Sequence, residues 1–294
     1  MISIIINCHN GSKYLREALQ SIINQDYNNY EVIFWNNNST DESKDIYQNF
    51  QKLYKDKNLR YFENLSKLPL YKARNEALKL VKGNFICFLD TDDMWLKNKL
   101  LKNLNKFEEN NYDVVFSNIF ILNQKNNKKT IYIKKNIHEE RIYKSLINNY
   151  NASLISIMIK KSIIENENYL FNPEFNHIGD FDFILRMAKK YKFGYISEPL
   201  AVYRLHENNL TRLNRLNEIN EMDVWIKRNV LGLNHQEIQP IRNKSLERQF
   251  IHYKINGEIL KSFSIFLKIS LRLKIKLFIL FFLPKKIIER ILSF

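Results

Sequence analysis

Three aspartates, Asp90, Asp92 and Asp93, fall within four positions directly behind the apolar run FICFL. Carboxylates this close repel one another, so the loop is either fully solvated or faces something positive. Asp90 and Asp92 form a D-x-D, and in extended chain residues i and i+2 project to the same side. Two carboxylates on one side suit a hard divalent cation that shares its coordination with phosphate oxygens. The plain alternative is a wet loop in which Asp93 caps the next helix. Asp180, in IGDFDFILR, is a second candidate. Read from its position alone, it would cap the helix that follows. Asp182 is predicted to pair with Arg186, four residues on along the same helix. His206, in YRLHENNLT, follows the last expected strand and is a lone histidine. The remaining histidines show no ligand spacing, and only His9 falls at the edge of an expected site.

The elements that must position these residues alternate regularly. ISIIIN (2–7) is a continuous β-branched run suited to a strand buried on both faces. A helix follows with Leu15, Leu19, Ile22 and Ile23 on one side, then a strand over YEVIFWN (30–36). Ser39 to Glu42 reads as a capping box opening a helix towards Tyr54. LRYFE (59–63) reads as strand, YKARNEALKLV (71–81) as helix, FICFLD (85–90) as strand, 97–109 as helix and YDVVFSNIFIL (112–122) as strand. NQKNNKKT (123–130) is a polar turn between two strands. Repeated βα units predict an α/β fold with a parallel, doubly wound sheet. Ligands of such sheets bind at the carboxyl ends of strands. The unusual polar residues cluster at those ends: Asn7–Asn10, Asn36–Asp41 and Asp90–Asp93. No G-x-G-x-x-G and no P-loop is present, which excludes the dinucleotide and Walker-type readings.

Composition bounds the rest. The chain has 294 residues, 45% of them hydrophobic, enough for one large domain and a smaller appendage. Its net charge is +15, but the stretch 241–294 holds 12 basic and 3 acidic residues and so carries +9 of it. The nearly balanced front argues against a nucleic-acid-binding main domain, and no nucleic-acid partner is expected. Cys8 and Cys87 lie far apart inside apolar runs, as buried free thiols of a reducing compartment do. The opening MISIIINCHN lacks a basic n-region, so the expected location is the cytoplasm.

Taken together and in this order, SIIINCHNGSKYLREALQSIINQDYNNYEVIFWNNNSTDES, ARNEAL, GNFICFLDTDDMW and IGDFDFILRMA resemble the inverting glycosyltransferases of family 2, which have the GT-A fold. The resemblance covers roughly residues 1–210. It implies transfer of a sugar from a nucleotide-diphosphate donor with Mn²⁺ or Mg²⁺ as cofactor, and residues 211–294 would form a helical extension. By the same resemblance Asp92 corresponds to the metal ligand, Asp90 lies near the donor ribose or sugar, and Asp180 is the general base. The family often has Glu before that aspartate, where this chain has Gly179. His206 resembles a histidine that reaches the metal or the diphosphate. NNNSTDES departs from the family's more usual D-D-G-S-T-D. Asn37 stands in place of an aspartate that often meets the donor's base, and its amide permits uracil without demanding it. Asn7, Asp41 and Arg74 are further donor-pocket candidates, with Arg74 able to pair with phosphate or brace the loop. Asp41 could instead serve only as negative charge at a helix N-terminus.

The tail from Lys261 mixes bulky apolar residues with basic ones, and Lys268, Arg272 and Lys276 would share a ridge on a helix. Its longest uncharged run, Leu277 to Leu283, is too short to cross a bilayer. It is expected to lie on the inner membrane surface as an amphipathic element, which suits a lipid-linked saccharide acceptor. A helix packed on the catalytic domain, or a dimer contact, is the alternative. Two rival functions fit less well. A haloacid-dehalogenase-like phosphatase would use Asp90 as nucleophile and Asp92 as acid/base, but it needs Thr or Val at Met94 and usually carries its D-x-D on the first strand. A non-catalytic nucleotide-sugar-binding scaffold would have no use for the D-x-D and Asp180 together.

Overall fold

The computed structural model describes residues 1–135, 137–139, 142–168, 170–209, 213–285 and 287–288, with the backbone alone at 271, 272 and 276. The expected boundary at 210–211, and the side chains of Arg272 and Lys276 in the expected basic ridge, lie outside the described residues. Among the described residues are nine strands: β1 (Ile2–Cys8), β2 (Tyr30–Asn36), β3 (Asn58–Glu63), β4 (Phe85–Phe88), β5 (Met94–Trp95), β6 (Val114–Asn123), β7 (Lys128–Ile131), β8 (Met158–Lys160) and β9 (Phe193–Leu205). Interleaved with them run α1 (Ser12–Ile23), α2 (Ser43–Leu53), α3 (Leu70–Leu78), α4 (Lys99–Asn110), α5 (Ile142–Asn148), α6 (Ser162–Glu165) and α7 (Gly179–Lys190). After them come α8 (Arg215–Asn229), α9 (His235–Ile255), α10 (Ile259–Lys268) and α11 (Leu271–Phe282). The chain forms two compact units, one of Met1–Leu146 with Asn151–His206, the other of Ile147–Tyr150 with Glu207–Phe294.

In the first unit the sheet order is β3-β2-β1-β4-β8-β6-β9-β5, with β7 paired to β6. The α/β reading holds, and the four strands β3-β2-β1-β4 are parallel as the βα repeat predicts. Beyond β4 the sheet becomes mixed. β8, reached from the β6–β7 hairpin through α5, runs antiparallel to both β4 and β6. Strand order reverses between β1 and β4, so their carboxyl ends open a crevice. Side chains alternate across β1. Ile2, Ile4, Ile6 and Cys8 pack with Leu15, Leu19 and Ile22 of α1 and with Ile46 of α2. On the opposite face, rings of Tyr71, Phe88, Phe171 and Phe183 meet with centroids 5.1 to 5.4 Å apart.

The expected capping box at Ser39 does not form. α2 begins at Ser43, whose N–H donates to Asp41 Oδ1 at 3.0 Å, while Ser39 Oγ accepts from Asn10 N at 3.1 Å. Ser39 is drawn to the neighbouring loop, where it satisfies a backbone donor that would otherwise lack a partner. A capping box does close the start of α9, between Asn234 and Glu237. In the second unit, Phe250, Ile251, Ile265, Ile269, Leu277 and Leu280 form a separate core.

The amino end of the parallel strands is fixed by Glu31, which is fully buried. It accepts from Ser3 Oγ (2.6 Å), Lys82 N (2.7 Å) and Arg60 Nη1 (2.6 Å). Burial alone would raise its pKa, yet these donors outweigh burial and hold it below the ordinary glutamate range. Its stabilising contribution is therefore complete above the unfolded-state pKa and is lost as pH falls through the lowered folded value. Glu31→Ala, which leaves Arg60 and Lys82 N without this acceptor, is expected to cost about 3–5 kcal/mol in denaturant unfolding at neutral pH. The deficit should shrink on acidification.

Candidate active site

The polar residues at the ends of β1, β2 and β4 meet at the crevice. Two loops form one rim and are stitched together through side chain to backbone hydrogen bonds. Ser12 N donates to Asp41 Oδ2 (2.9 Å), Gly11 N to Ser43 Oγ (3.0 Å) and Thr40 N to Asn10 Oδ1 (2.8 Å). Asn10 and Asn38 take the left-handed backbone conformation that these tight loops require. His9 Nδ1 lies 3.0 Å from Asn37 O. Burial would raise the Asp41 pKa, but hydrogen bonds from Ser43 and Ser12 hold it low, so Asp41 is an anionic staple between the loops. Gly11 faces the aspartate loop, and a Cβ there would come within 2.6 Å of Thr91 Oγ1.

The three clustered aspartates have three different environments. Asp90 pairs with the guanidinium of Arg74, a residue only 4% exposed on α3. Asp92 Oδ2 lies 2.9 Å from His206 Nε2, at the end of β9. Asp93 does not cap a helix. It is buried, and its Oδ1 accepts from Arg204 N at 2.8 Å while Oδ2 has no hydrogen-bond partner among the described residues. Burial, with Asp92 and Asp90 adding repulsion, pushes its pKa well above the ordinary carboxylate value. Arg204 braces the loop: Nε donates to Asp92 O (2.8 Å), one Nη to Glu17 (2.7 Å), and the guanidinium lies 4.3 Å from the centroid of the Tyr14 ring.

Asp180 lies in the first turn of α7, one residue after its Gly179 start, and so is not the N-cap, which is Ile178. Burial raises its pKa, and Arg74 and the Tyr71 hydroxyl partly offset that rise. Tyr71 Oη donates to Asp180 Oδ1 at 3.0 Å. Asp182 turns away to meet Arg186 Nε at 2.9 Å, as its spacing predicts. The arrangement thus brings Arg74, Asp90 and Asp180 to one place, with Asp92 and His206 joined to it through the aspartate loop. Asp92 and His206 bring a carboxylate oxygen and an imidazole nitrogen within 2.9 Å of each other; the carboxylate is the ligand type that Mn²⁺ and Mg²⁺ take. Among the described residues no three His, Cys, Asp or Glu side chains form a group that could hold a metal ion by itself.

Two donor-pocket candidates carry further constraints. Asn7 buries an amide that finds no partner among the described residues, a group that a polar ligand would satisfy. Asn37 is buried and already engaged at both ends of its amide. Oδ1 accepts from Leu68 N (2.9 Å) and Nδ2 donates to Leu68 O (2.9 Å). Residues that sequence reasoning missed are Tyr71, Tyr14, Glu17 and the Ser39 and Ser43 stitches. The one usable signal was Gly179, whose place a ring from another element requires.

The family model described as "Glycosyl transferase family 2" matches residues 3–167, more than half of the chain. The chain belongs to glycosyl transferase family 2. It is a glycosyltransferase, which excludes the phosphatase reading. Over 219 residues it is 31% identical to the "GalNAc(5)-diNAcBac-PP-undecaprenol beta-1,3-glucosyltransferase" of Campylobacter jejuni, covering 72% of this chain and 67% of that protein. Its fold is similar to S. aureus TarS 1-349 in complex with UDP-GlcNAc, with TM-score 0.64 at 20% identity over 88% of this chain and 75% of that one. It is also similar to the mannosyltransferase PcManGT from Pyrobaculum calidifontis in complex with GDP-Man and Mn²⁺. There the TM-score is 0.62 at 14% identity, over 90% of this chain and 72% of that one. These likenesses place the glycosyltransferase in the GT-A fold, with a C-terminal helical extension.

The two-point pairing of Asn37 with Leu68 needs an amide, because a carboxylate cannot donate to the Leu68 carbonyl. Asn37→Asp is therefore expected to loosen the segment 64–69. Amide exchange there should rise about 10-fold or more, in line with about 1–3 kcal/mol for a broken buried pairing. Unchanged exchange would show that the pairing contributes nothing to the order of this segment.

Proposed function

We propose that this glycosyltransferase is an inverting, metal-dependent enzyme that moves a sugar from a nucleotide-diphosphate-sugar, with a UDP-sugar favoured, to a hydroxyl of a glycan acceptor. The observation that carries the reading is the joining of two groups on one crevice: the Asp92–His206 pair, and Asp180 beside Arg74 and Asp90. In this reading residues 1–210 are the catalytic domain, and Asn7, Asp41 and Arg74 line the donor pocket. Asp90 lies by the donor ribose or sugar, its carboxylate aimed by Arg74. Asp92 and His206 would hold Mn²⁺ or Mg²⁺, which when bound supplies positive charge at the departing diphosphate. Asp180 takes the proton of the acceptor hydroxyl as that oxygen bonds to C1 of the sugar. The C1–O bond to the diphosphate breaks on the opposite face, and the nucleoside diphosphate leaves with the electron pair. Its raised pKa, caused first by burial, makes Asp180 a stronger base than a solvated carboxylate. The UDP-GlcNAc complex of TarS and the GDP-Man and Mn²⁺ complex of PcManGT support this donor class. Uracil recognition by Asn37 would require Leu68 to give up its hold on the amide.

A thermal-shift panel of UDP-, GDP-, CMP- and dTDP-sugars with and without Mn²⁺ tests the donor and the metal. One donor should raise the melting temperature in a Mn²⁺-dependent way, Asp92→Ala should abolish that dependence, and His206→Ala should weaken it. Asp180→Asn should keep the donor-induced shift while turnover falls by ~10²–10⁴-fold. Full activity in excess chelator would remove the metal from the mechanism. Near-normal turnover by Asp180→Asn would move the base elsewhere.

The acceptor is proposed to be lipid-linked, since the Campylobacter relative is named for an undecaprenol-diphosphate substrate, and residues 211–294 are proposed to hold the enzyme on the cytoplasmic face of the membrane. Among the described residues no helix is long and apolar enough to cross a bilayer. α10 exposes Leu260, Phe263 and Leu267, and α11 exposes Ile275, Phe278, Ile279 and Phe282, at spacings of three, four and seven residues. Their other faces are buried in the core around Phe250, so each helix carries an exposed apolar stripe opposite its buried one. Lys261 and Lys268 lie exposed beside these stripes and complement anionic head groups. Phe263→Asp with Phe278→Asp, both at exposed positions, should cut cosedimentation with anionic vesicles by about 10-fold or more and leave activity on a short soluble acceptor unchanged. Undiminished vesicle binding, or conversion of a dimer to a monomer by the same substitutions, would defeat the membrane reading.

A further inference from the structure

Asp180 is held by a tyrosine of α3. Tyr71 stands in the first turn of α3 with its ring buried, and its hydroxyl donates to Asp180 Oδ1 at 3.0 Å. The same Oδ1 accepts from Phe181 N at 2.9 Å. Oδ2 accepts no hydrogen bond among the described residues, so the carboxylate has one saturated oxygen and one open one. The ring is immobilised from two sides. Leu70 N donates to Asn176 Oδ1 (2.6 Å), and Asn75 exchanges two hydrogen bonds with the backbone of Phe171 (2.7 and 3.1 Å), fastening α3 to the segment that leads into α7. On the far side the ring presses on Gly179. A Cβ at that position would lie 2.4 Å from Tyr71 Cδ2, so only glycine leaves room for the ring next to the aspartate.

We propose that Tyr71 is a positioning residue for Asp180: its hydroxyl ties down Oδ1 and leaves Oδ2 as the oxygen that receives the acceptor's proton, with Gly179 as the space that lets the ring reach. This inference rests on Asp180 being the base. The charged and titratable groups that face Asp180 are Tyr71 and Arg74 from α3 and Asp90 from the loop after β4. Burial first, and then the charge of Asp180, raise the Tyr71 pKa well above the usual phenol range, so the hydroxyl stays a donor through the working pH range. A hydrogen bond to the charged form of a carboxylate favours that form, and its loss raises the carboxylate's pKa. Removing the hydroxyl alone therefore makes Asp180 harder to ionise without emptying the site.

Tyr71→Phe keeps the ring, its packing on Gly179 and its place beside Arg74, and is the direct test. The acid limb of kcat/KM should move to higher pH. The loss should be about 10-fold on that limb and shrink towards the wild-type plateau as pH rises, while donor KM stays within about 2-fold. Gly179→Ala, which pushes the same ring aside, should move the limb in the same direction and add no further shift to Tyr71→Phe. A uniform loss at every pH would reveal a merely structural tyrosine and overturn the proposal, as would a profile superimposable on wild type. Asp180→Asn separates the two levels of inference. If that variant turns over at a near-normal rate, the base assignment itself fails and the role of Tyr71 falls with it. If its turnover falls by ~10²–10⁴-fold while Tyr71→Phe shows no shifted limb, only the role of Tyr71 is wrong.

Discussion

A cation enclosed by protein must be matched by anions, and Arg74 is such a cation. Its guanidinium is nearly removed from solvent, pairs with Asp90, and faces the rings of Tyr71 and Phe171 at 5.2 and 5.9 Å. Burial opposes the charge, and Asp90, Tyr71 and Asp180 more than restore it. This balance fixes three things at once. It sets the place of α3 beside the crevice, aims the Asp90 carboxylate, and puts positive charge near Asp180 so that the buried acid is only partly disfavoured from ionising. A lysine could carry the same charge but not the planar, delocalised guanidinium that faces these rings.

The clustered aspartates are accommodated by division of labour. Asp90 answers to an arginine, Asp92 to a histidine, and Asp93 serves as a buried acceptor for the backbone of Arg204. Like charges so close cannot all ionise at full strength, and of the three only Asp93 is fully buried. Arg204 then ties the carbonyl of Asp92 to α1 through Glu17 and Tyr14. The ends of β1, β4 and β9 thereby become one braced unit.

Much of this was legible in the chain. Continuous β-branched runs mark strands buried on both faces, and ISIIIN and YEVIFWN became β1 and β2 with almost every residue buried. The four-residue spacing of Asp182 and Arg186 became an ion pair, because a helix brings those positions together wherever it packs. What was not legible depends on partners distant in sequence. Ser39 to Glu42 satisfies the local rule for a helix cap, but the backbone of Asn10 competed for the serine and won. β8 has only three residues and an antiparallel course, which no hydrophobic period reveals. The amide of Asn37 was visible as a departure from an expected carboxylate, yet its two bonds to Leu68 exist only once β3 and α3 have placed that turn. Gly179 read as a missing side chain, and the ring that fills its space comes from more than a hundred residues earlier in the chain.

The stitched rim has a thermodynamic consequence. Backbone that is ordered before a ligand arrives need not be ordered by it, and each residue so fixed spares about 1–2 kcal/mol of conformational entropy at the moment of binding. Asn10, Ser39, Asp41 and Ser43 tie the first two loops together by folding alone. The turn carrying Leu68 is different, since its hold on Asn37 must be exchanged for any ligand group that takes the same amide. Affinity at one side of the crevice is thus set by what a ligand adds to a rigid surface. At the other side it is set by how far the new hydrogen bonds exceed the ones they displace.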